Sequence, residues 1–310
     1  MKGSDMQVCG SLIKRNVQMF FKDKATFFTS LVTPVILLVL YVTFLYNVYE
    51  STYLQALPAS LLTDDSLVEG LVGGQLLSSL LAVSTVTVPF CANLFMVQDK
   101  VTGARYDLTI APVKPHTLAL SYYVATVING LIISLVALAM GLVYLAIIGW
   151  YLSALDVLLL IADVVILVLF GTAFSSLVCF ALTTQGQLSA VGTIVSAGYG
   201  FVCGAYMPIA SFSAGLRNTL AFFPGTHGMS LLRNHALQGV YSEMSSLGFP
   251  NEVITSLKDM SDCNLYFAGH GIAPWLMYTV LIGSVILMVA AYVLLNVWIS
   301  KKTNKKSKNK

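Results

Sequence analysis

"QDKVTGARYDLTIAPVKPHTL", Gln98 to Leu118, carries Asp99, Lys100, Arg105, Asp107, Lys114 and His116. On either side the chain runs for more than twenty residues without one Asp, Glu, Lys or Arg. A bilayer core takes about 20 apolar residues in helical form, so a charged island between two such runs is a membrane-external loop between two spans. The rest of the chain agrees. Hydrophobic residues make up 57% and charged residues 10%, and the mean hydropathy is +0.80. A soluble domain carries about 25% charged residues, so this chain lacks the means to cover a water-facing surface. It reads as an integral membrane protein.

Runs of spanning length occur at Ala25–Val48, Gly73–Val97, Leu118–Ile148, Val157–Leu182, Ala190–Ile209 and Ala273–Ser300. The expected fold is therefore all-α, with six transmembrane helices. The fifth run is diluted by Gly198, Gly200 and Gly204. Ahead of the first span, Met6–Lys24 sets Val8, Leu12, Ile13, Val17, Phe20 and Phe21 near one helical face, with Lys14, Arg15, Gln18, Lys22 and Lys24 on much of the rest. Such a helix is expected to lie in the headgroup plane. The first apolar run is too long for a cleavable signal, whose core is about 7–15 residues.

Charge sets the orientation. With the N-terminus inside, fourteen of the seventeen Lys and Arg are cytoplasmic, and only Arg217, Arg233 and Lys258 lie outside. That asymmetry is a positive-inside pattern, with both termini and Gln98–Leu118 in the cytoplasm of a cell with this plasma or inner membrane. Eleven of those basic residues sit at the two chain ends, so the net charge of +3 does not describe a nucleic-acid surface.

The division that follows is a cytoplasmic amphipathic helix (residues 1–24), a six-span domain (25–300) and a basic cytoplasmic tail (301–310). Within the six-span domain, residues 98–117 form the charged cytoplasmic segment and 210–272 an external one. The external stretch Leu216–Gly239 is apolar in short runs broken by Pro224, Gly225 and Gly228. It reads as short re-entrant helices or a lid before the last span, because irregular backbone at membrane depth must be buried in protein or line a cavity. Tyr241–Cys263 is expected to face solvent.

Polar residues inside spans are functional candidates. Asp163 is the only acid in a predicted span. It is a candidate for the transport pathway, or for a pairing with a neighbouring helix. Asn129 is a candidate for the pathway or for an interhelical hydrogen bond. Gly192, Ser196, Gly200 and Gly204 recur every four residues, a stripe that lets another backbone approach, within the chain or across a dimer. Pro208 is expected to end or bend that helix. The five cysteines show no paired or metal-ligand spacing, and Cys263 alone is expected outside. His227, His235 and His270 are too scattered to propose a metal site. No G-x-x-x-x-G-K-[ST] loop is present, nor any arrangement of a hydrolytic nucleophile and base, so no chemistry is expected of this chain.

Two stretches then resemble the ABC-2 type exporter permeases. In the cytoplasmic segment, Asp99 and Lys100 precede Gly103, with Asp107 four residues on and Pro112 nine residues on, and Leu108 and Ile110 hold apolar positions. Ala104 and Arg105 stand where that family usually has a small hydroxyl residue and leucine. In "GAYMPIASFSAGLRNTLAFFPGTHGMSLLR", Gly204 and Pro208 are followed by a short apolar helix, Pro224 and a helix containing Arg233. The resemblance implies a transmembrane subunit without its own nucleotide site, working with two copies of a separate ABC ATPase that would hold ATP and magnesium. A second permease chain, identical or related, would complete the pathway. It also implies that residues 98–117 dock in a groove of the ATPase, with Val101, Tyr106 and Leu108 as apolar contacts, Arg105 and Asp107 as orienting charges, and Pro112 stiffening the exit. The cargo expected is an amphipathic or lipid-like compound moving outward. The competing readings are an ion-coupled secondary carrier using Asp163, and a non-transporting sensor or scaffold. A thiol introduced into Gln98–Leu118 should resist a membrane-impermeant maleimide in intact cells and react after permeabilisation. Labelling from outside would invert the topology.

Overall fold

The computed structural model describes residues 3–57, 65–105, 108 and 113–308. Helix α1 (Gly3–Lys22) ends at Asp23, whose Oδ1 accepts from the backbone N–H of Ala25 (3.0 Å) and Thr26 (3.3 Å) and so caps α2 (Lys24–Leu40). A capping acid between the two segments ends one helix and starts the next. The buried side of α1 is Cys9, Leu12, Asn16 and Phe20, while Val8 and Phe21 are exposed. That face is rotated from the predicted one because α1 packs on protein. A π-helical turn (Tyr41–Leu45) carries α2 into α3 (Tyr46–Ala56), so one rod runs from residue 24 to residue 56.

The long helices that follow are α4 (Asp65–Val101), α5 (Pro115–Ile148) and α6 (Ala154–Ala181). Then come α7 (Gln185–Val202), a single 3-10 turn (Ile209–Ser211), α8 (Ala214–Leu220), α9 (Pro224–Ser246) and α10 (Asn251–Met260). A two-stranded antiparallel hairpin, β1 (Leu265–Phe267) and β2 (His270–Ile272), precedes α11 (Pro274–Lys308). The protein is all-α apart from this hairpin.

Among the described residues, five segments are long and apolar enough to cross a membrane: residues 24–56, 66–101, 115–148, 154–181 and 274–299. The predicted fifth span, Ala190–Ile209, is instead the 18-residue α7, which is more polar and begins at Gln185. It ends at Val202, before Pro208 is reached. Gly204 takes the left-handed conformation (φ 84°), and the N–H groups of Ala205 and Tyr206 both donate to the Gly200 carbonyl. A glycine turn therefore stops the helix, as glycine past a helix end commonly does.

Helix α4 is the centre. It is almost wholly enclosed, whereas the other spanning helices bury half of their apolar window or less. It packs against α2, α3, α5, α6, α7 and α9. Apolar contact alone does not hold helices together in lipid, so close approach through small residues must. Pro89 supplies one such point. Lacking an N–H, it leaves the Thr85 carbonyl without its helical partner, and Gly171 of α6 sits against that carbonyl. A Cβ there would stand 2.4 Å from the Thr85 oxygen. On another side Gly130 of α5 meets the Pro89 ring, where a Cβ would be 2.8 Å from Cγ.

The external segment departs from its expected form. Helix α9 is 23 residues long, with buried residues from Gly225 to Met244, and packs against α4, α6 and α11. Tyr241, Phe249, Ile254, Leu257 and Cys263 are buried with Tyr49, Tyr53 and Leu71, while Glu243, Ser246, Asn251, Glu252 and Ser256 are exposed, so Tyr241–Cys263 has one buried face beside its solvent-facing one. Its apolar positions pack on the outer ends of α3 and α4, which extend beyond the predicted spans. Gly171→Ala should destabilise the protein by about 1–3 kcal/mol, the usual range for overpacking. Gly192→Ala, whose Cβ would meet only Phe90 at 3.9 Å, should be neutral. Thermal unfolding in detergent checks both.

Candidate functional site

The charges at the end of α4 turn inward. Asp99 is buried and accepts a bidentate pair from Arg15 of α1, with Nη1 at 2.9 Å and Nη2 at 3.0 Å. The Tyr122 hydroxyl of α5 donates to the same carboxylate at 2.5 Å. Bidentate guanidinium–carboxylate geometry is among the stronger and more directional polar contacts. Lys100 Nζ donates to the carbonyls of Cys179 (3.0 Å), Phe180 (2.7 Å) and Leu182 (3.1 Å), and lies 5.5 Å from the Phe180 ring centroid. It thus satisfies carbonyls orphaned at the end of α6, where a cation is also favoured by the helix dipole. Arg105 Nη2 donates to Asn296 Oδ1 of α11 at 3.2 Å, and Lys114 Nζ pairs with Asp5 of α1 at 2.5 Å.

Of the residues expected to meet an ATPase, Asp99, Lys100 and Arg105 therefore hold α1, α5, α6 and α11 to one end of α4. Leu108 packs beside the core that includes Phe90 and Met96. Gly103 has φ 84° and open space around it. Tyr106, Asp107 and Pro112 lie outside the described residues.

A groove of about 1100 Å³ runs between the α2–α3 rod and α7, floored by Cys91 and Leu94 of α4. Val32, Ile36, Phe44, Leu188 and Phe201 make it apolar, while Thr29, Thr33, Ser189 and Thr193 add hydroxyls. The π-turn lies along it, and a π-turn in an α-helix often marks a functional site. The small-residue stripe of α7 divides here. Gly192 and Ser196 line the groove, but Gly200 is covered by the Tyr206 ring, and Gly204 lies against Ile209 and Asp262.

At the other end of α4 a buried ion pair closes the external segment. Arg233 is fully buried on α9. Its Nη1 donates to Asp262 Oδ2 at 2.7 Å, and its Nη2 to the Gly204 carbonyl at 2.6 Å. With the Gln75 amide turned so that its oxygen faces Arg233, Nη2 and Nε also donate to it, at 2.9 and 3.3 Å. Asp262 accepts from the N–H groups of Ile209 (2.5 Å) and Ala210 (2.9 Å). Burial pushes its carboxyl up, against the opposing pull of Arg233 and those amides. Pro208 thus leads into a turn held by Asp262, and Pro224 opens α9 at its first position. Cys263 is buried, and burial pushes its thiol up to about 11.

Asp163 is 1% exposed and lies outside the groove lining. His235 Nδ1 of α9 is 2.6 Å from one oxygen, and the Tyr278 hydroxyl of α11 donates to the other at 2.6 Å. The pairing alternative fits this carboxylate, which ties three helices. Asn129 is buried with its Oδ1 unpartnered, so that oxygen makes no interhelical bond. Among the described residues no group of three or more His, Cys, Asp or Glu side chains could hold a metal ion. Sequence reasoning missed Arg15, Gln75, Tyr122, His235 and Asp262 as partners. The isolated charges of Arg233 and Asp163 amid apolar chain were the available signal, since a buried charge demands a partner.

The long apolar helices and the enclosed α4 define a multi-pass membrane protein. The family model for ABC-2 type transporters matches residues 7–236, and the chain belongs to that family. It is a transport permease of the ABC transporter class. No curated protein matches it.

Removing one member of the external pair leaves a buried charge alone. Arg233→Met should cost about 3–5 kcal/mol, and combining it with Asp262→Leu should recover part of that. Thermal unfolding of the two variants checks this, and a wild-type midpoint for Arg233→Met would remove the pair as a stabilising element.

Proposed function

We propose that this chain is the permease subunit of an ATP-driven exporter that moves an amphipathic or lipid-like compound, using ATP hydrolysed with magnesium on a separate subunit. The observation that carries the reading is the groove between the α2–α3 rod and α7, apolar with a few hydroxyls and long enough to follow both helices. Family membership supplies the ATPase partner as an expectation, since such permeases normally work with one. In this reading α7 is the fifth of six crossings, both termini are cytoplasmic, and two permease chains face each other across their grooves above two ATPase copies.

The charged segment would then transmit motion through its fixed contacts. Asp99 and Arg15 would carry α1, Lys100 would carry α6, and Arg105 would carry α11, while Gly103 and residues 106–112 would meet the ATPase. Asp163 is engaged by His235 and Tyr278, which favours the ATP-driven reading over an ion-coupled carrier.

The test is co-purification from the native membrane followed by reconstitution in vesicles. Uptake into inverted vesicles should require ATP and survive collapse of the proton gradient. Gly103→Pro and Asp107→Lys should each abolish permease-stimulated ATPase activity while leaving membrane insertion intact. Ser196→Phe, which fills the groove, should block transport and leave the ATPase bound. Recovery of no ATPase, with uptake that follows the proton gradient, would refute the proposal.

A further inference from the structure

The segment before α11 carries exposed aromatic side chains that neither the groove nor the charged clusters use. Helix α8 buries none of its residues. Phe222, just beyond it, is 71% exposed, and Tyr266 and Phe267 of β1 are 43% and 39% exposed.

These rings are organised. Phe222 and Phe267 pack edge to face with centroids 4.8 Å apart. Asn218 Oδ1 of α8 accepts from the Ala268 N–H at 3.1 Å, which pins α8 to the tip of the hairpin. That tip is a tight two-residue turn, with Ala268 and Gly269 both at positive φ (48° and 81°) and Phe267 paired with His270. Positive φ at both central residues is the type I′ geometry that matches strand twist, so the base under the rings is stiff. The Tyr266 hydroxyl donates to Asp259 at 2.9 Å, which anchors its polar end.

The hairpin's place along the membrane normal follows from its connection. Strand β2 ends at Ile272 and α11 begins at Pro274, too short a link to carry the hairpin away from the boundary where α11 enters lipid. The first turn of α11 exposes Trp275 and Leu276, and Ile282 and Ile286 continue the bare apolar surface inward. The aromatic group is thus continuous with a lipid-facing helix.

We propose that α8, Phe222 and the β1–β2 hairpin form an aromatic foot resting in the headgroup–acyl boundary of the leaflet where α11 begins, its partner being membrane phospholipid. Tyr and Trp concentrate at that depth, and Phe serves with Trp and Leu on the buried face of segments lying in that boundary. Arg217, exposed on α8, adds a cation of the sign that suits a phosphate headgroup. The foot gives the external segment a bearing on the bilayer that moves with α8 and α11. It depends on α11 crossing the membrane, and not on the cargo or the ATPase.

Tryptophan fluorescence of the full chain in phosphatidylcholine vesicles tests it. Trp150, Trp275 and Trp298 are replaced by Phe, and Phe267→Trp or Phe222→Trp then gives a single reporter at either ring. A protein keeping Trp275 alone calibrates the boundary. Each reporter should lose emission to lipids brominated on the upper acyl chain as strongly as Trp275 does, and little to iodide. Quenching by iodide without quenching by brominated lipid would place the rings in water and overturn the proposal. Protection from both would mean that protein covers them, a second copy included, and would overturn it equally.

Discussion

A helix touching protein on every side has no lipid face to orient it and no hydrophobic force to hold it, because lipid tails are as apolar as its neighbours. Helix α4 is in that position, and the rest of the structure is arranged around the solution. Pro89 frees the Thr85 carbonyl, Gly171 approaches it, and Gly130 takes the proline ring from another side. Three buried hydroxyls of α4 next to this contact bond to their own backbone: Ser84 to Leu80, Thr85 to Ala82 and Thr87 to Val83. They therefore add no unmet polar demand at those contacts. Close backbone approach replaces the apolar seam of a soluble bundle.

The same helix carries a polar cluster at each end. Gln75 meets Arg233, itself paired with Asp262, near one end, and Asp99 and Lys100 meet α1, α5 and α6 at the other. The two clusters stand about 36 Å apart along a helix rising 1.5 Å per residue. Pro89 interrupts α4 between them, as Pro34 and the π-turn interrupt the α2–α3 rod, one face of which borders the groove.

Much of this was legible in the sequence. Uncharged runs located the five apolar crossings, and Asp23 lay where the interfacial helix gives way to the first. Three readings were changed or refined, for separable reasons. Pro208 was taken as the stop for α7, but glycine ends a helix through backbone conformation before a downstream proline has any say. Tyr241–Cys263 looked hydrophilic because its polar positions dominate the average. Its apolar ones are buried on the adjoining ends of α3 and α4, which run beyond the predicted spans. The inward contacts of Asp99 and Lys100 were not legible, since a charge in sequence shows no direction. Their contacts with Arg15, Tyr122 and the α6 carbonyls depend on chain brought together from far apart. Asp163 was flagged as unusual, but its partners on α9 and α11 lie more than seventy residues away in the chain.

The least enclosed helix gives the groove its meaning. Of the residues of α7 only Leu188, Tyr199 and Gly200 are buried, and its packing is confined largely to α4. It nonetheless begins with a complete capping box, Thr184 and Gln187 satisfying each other's backbone, so its start is well determined while its sides stay bare. Gln185, Gln187, Ser189 and Thr193 are exposed on it. Lipid tails offer such amides and hydroxyls no hydrogen-bond partner, although Thr193 Oγ1 donates to the Ser189 carbonyl and Gln187 caps the helix start. Where the hydroxyls turn toward the groove they can meet water, cargo or another chain, and any of these relieves the mismatch. A helix firmly started and left open along one side suits a wall of a pathway better than a buried strut, in keeping with the proposed exporter, in which two chains face each other across their grooves.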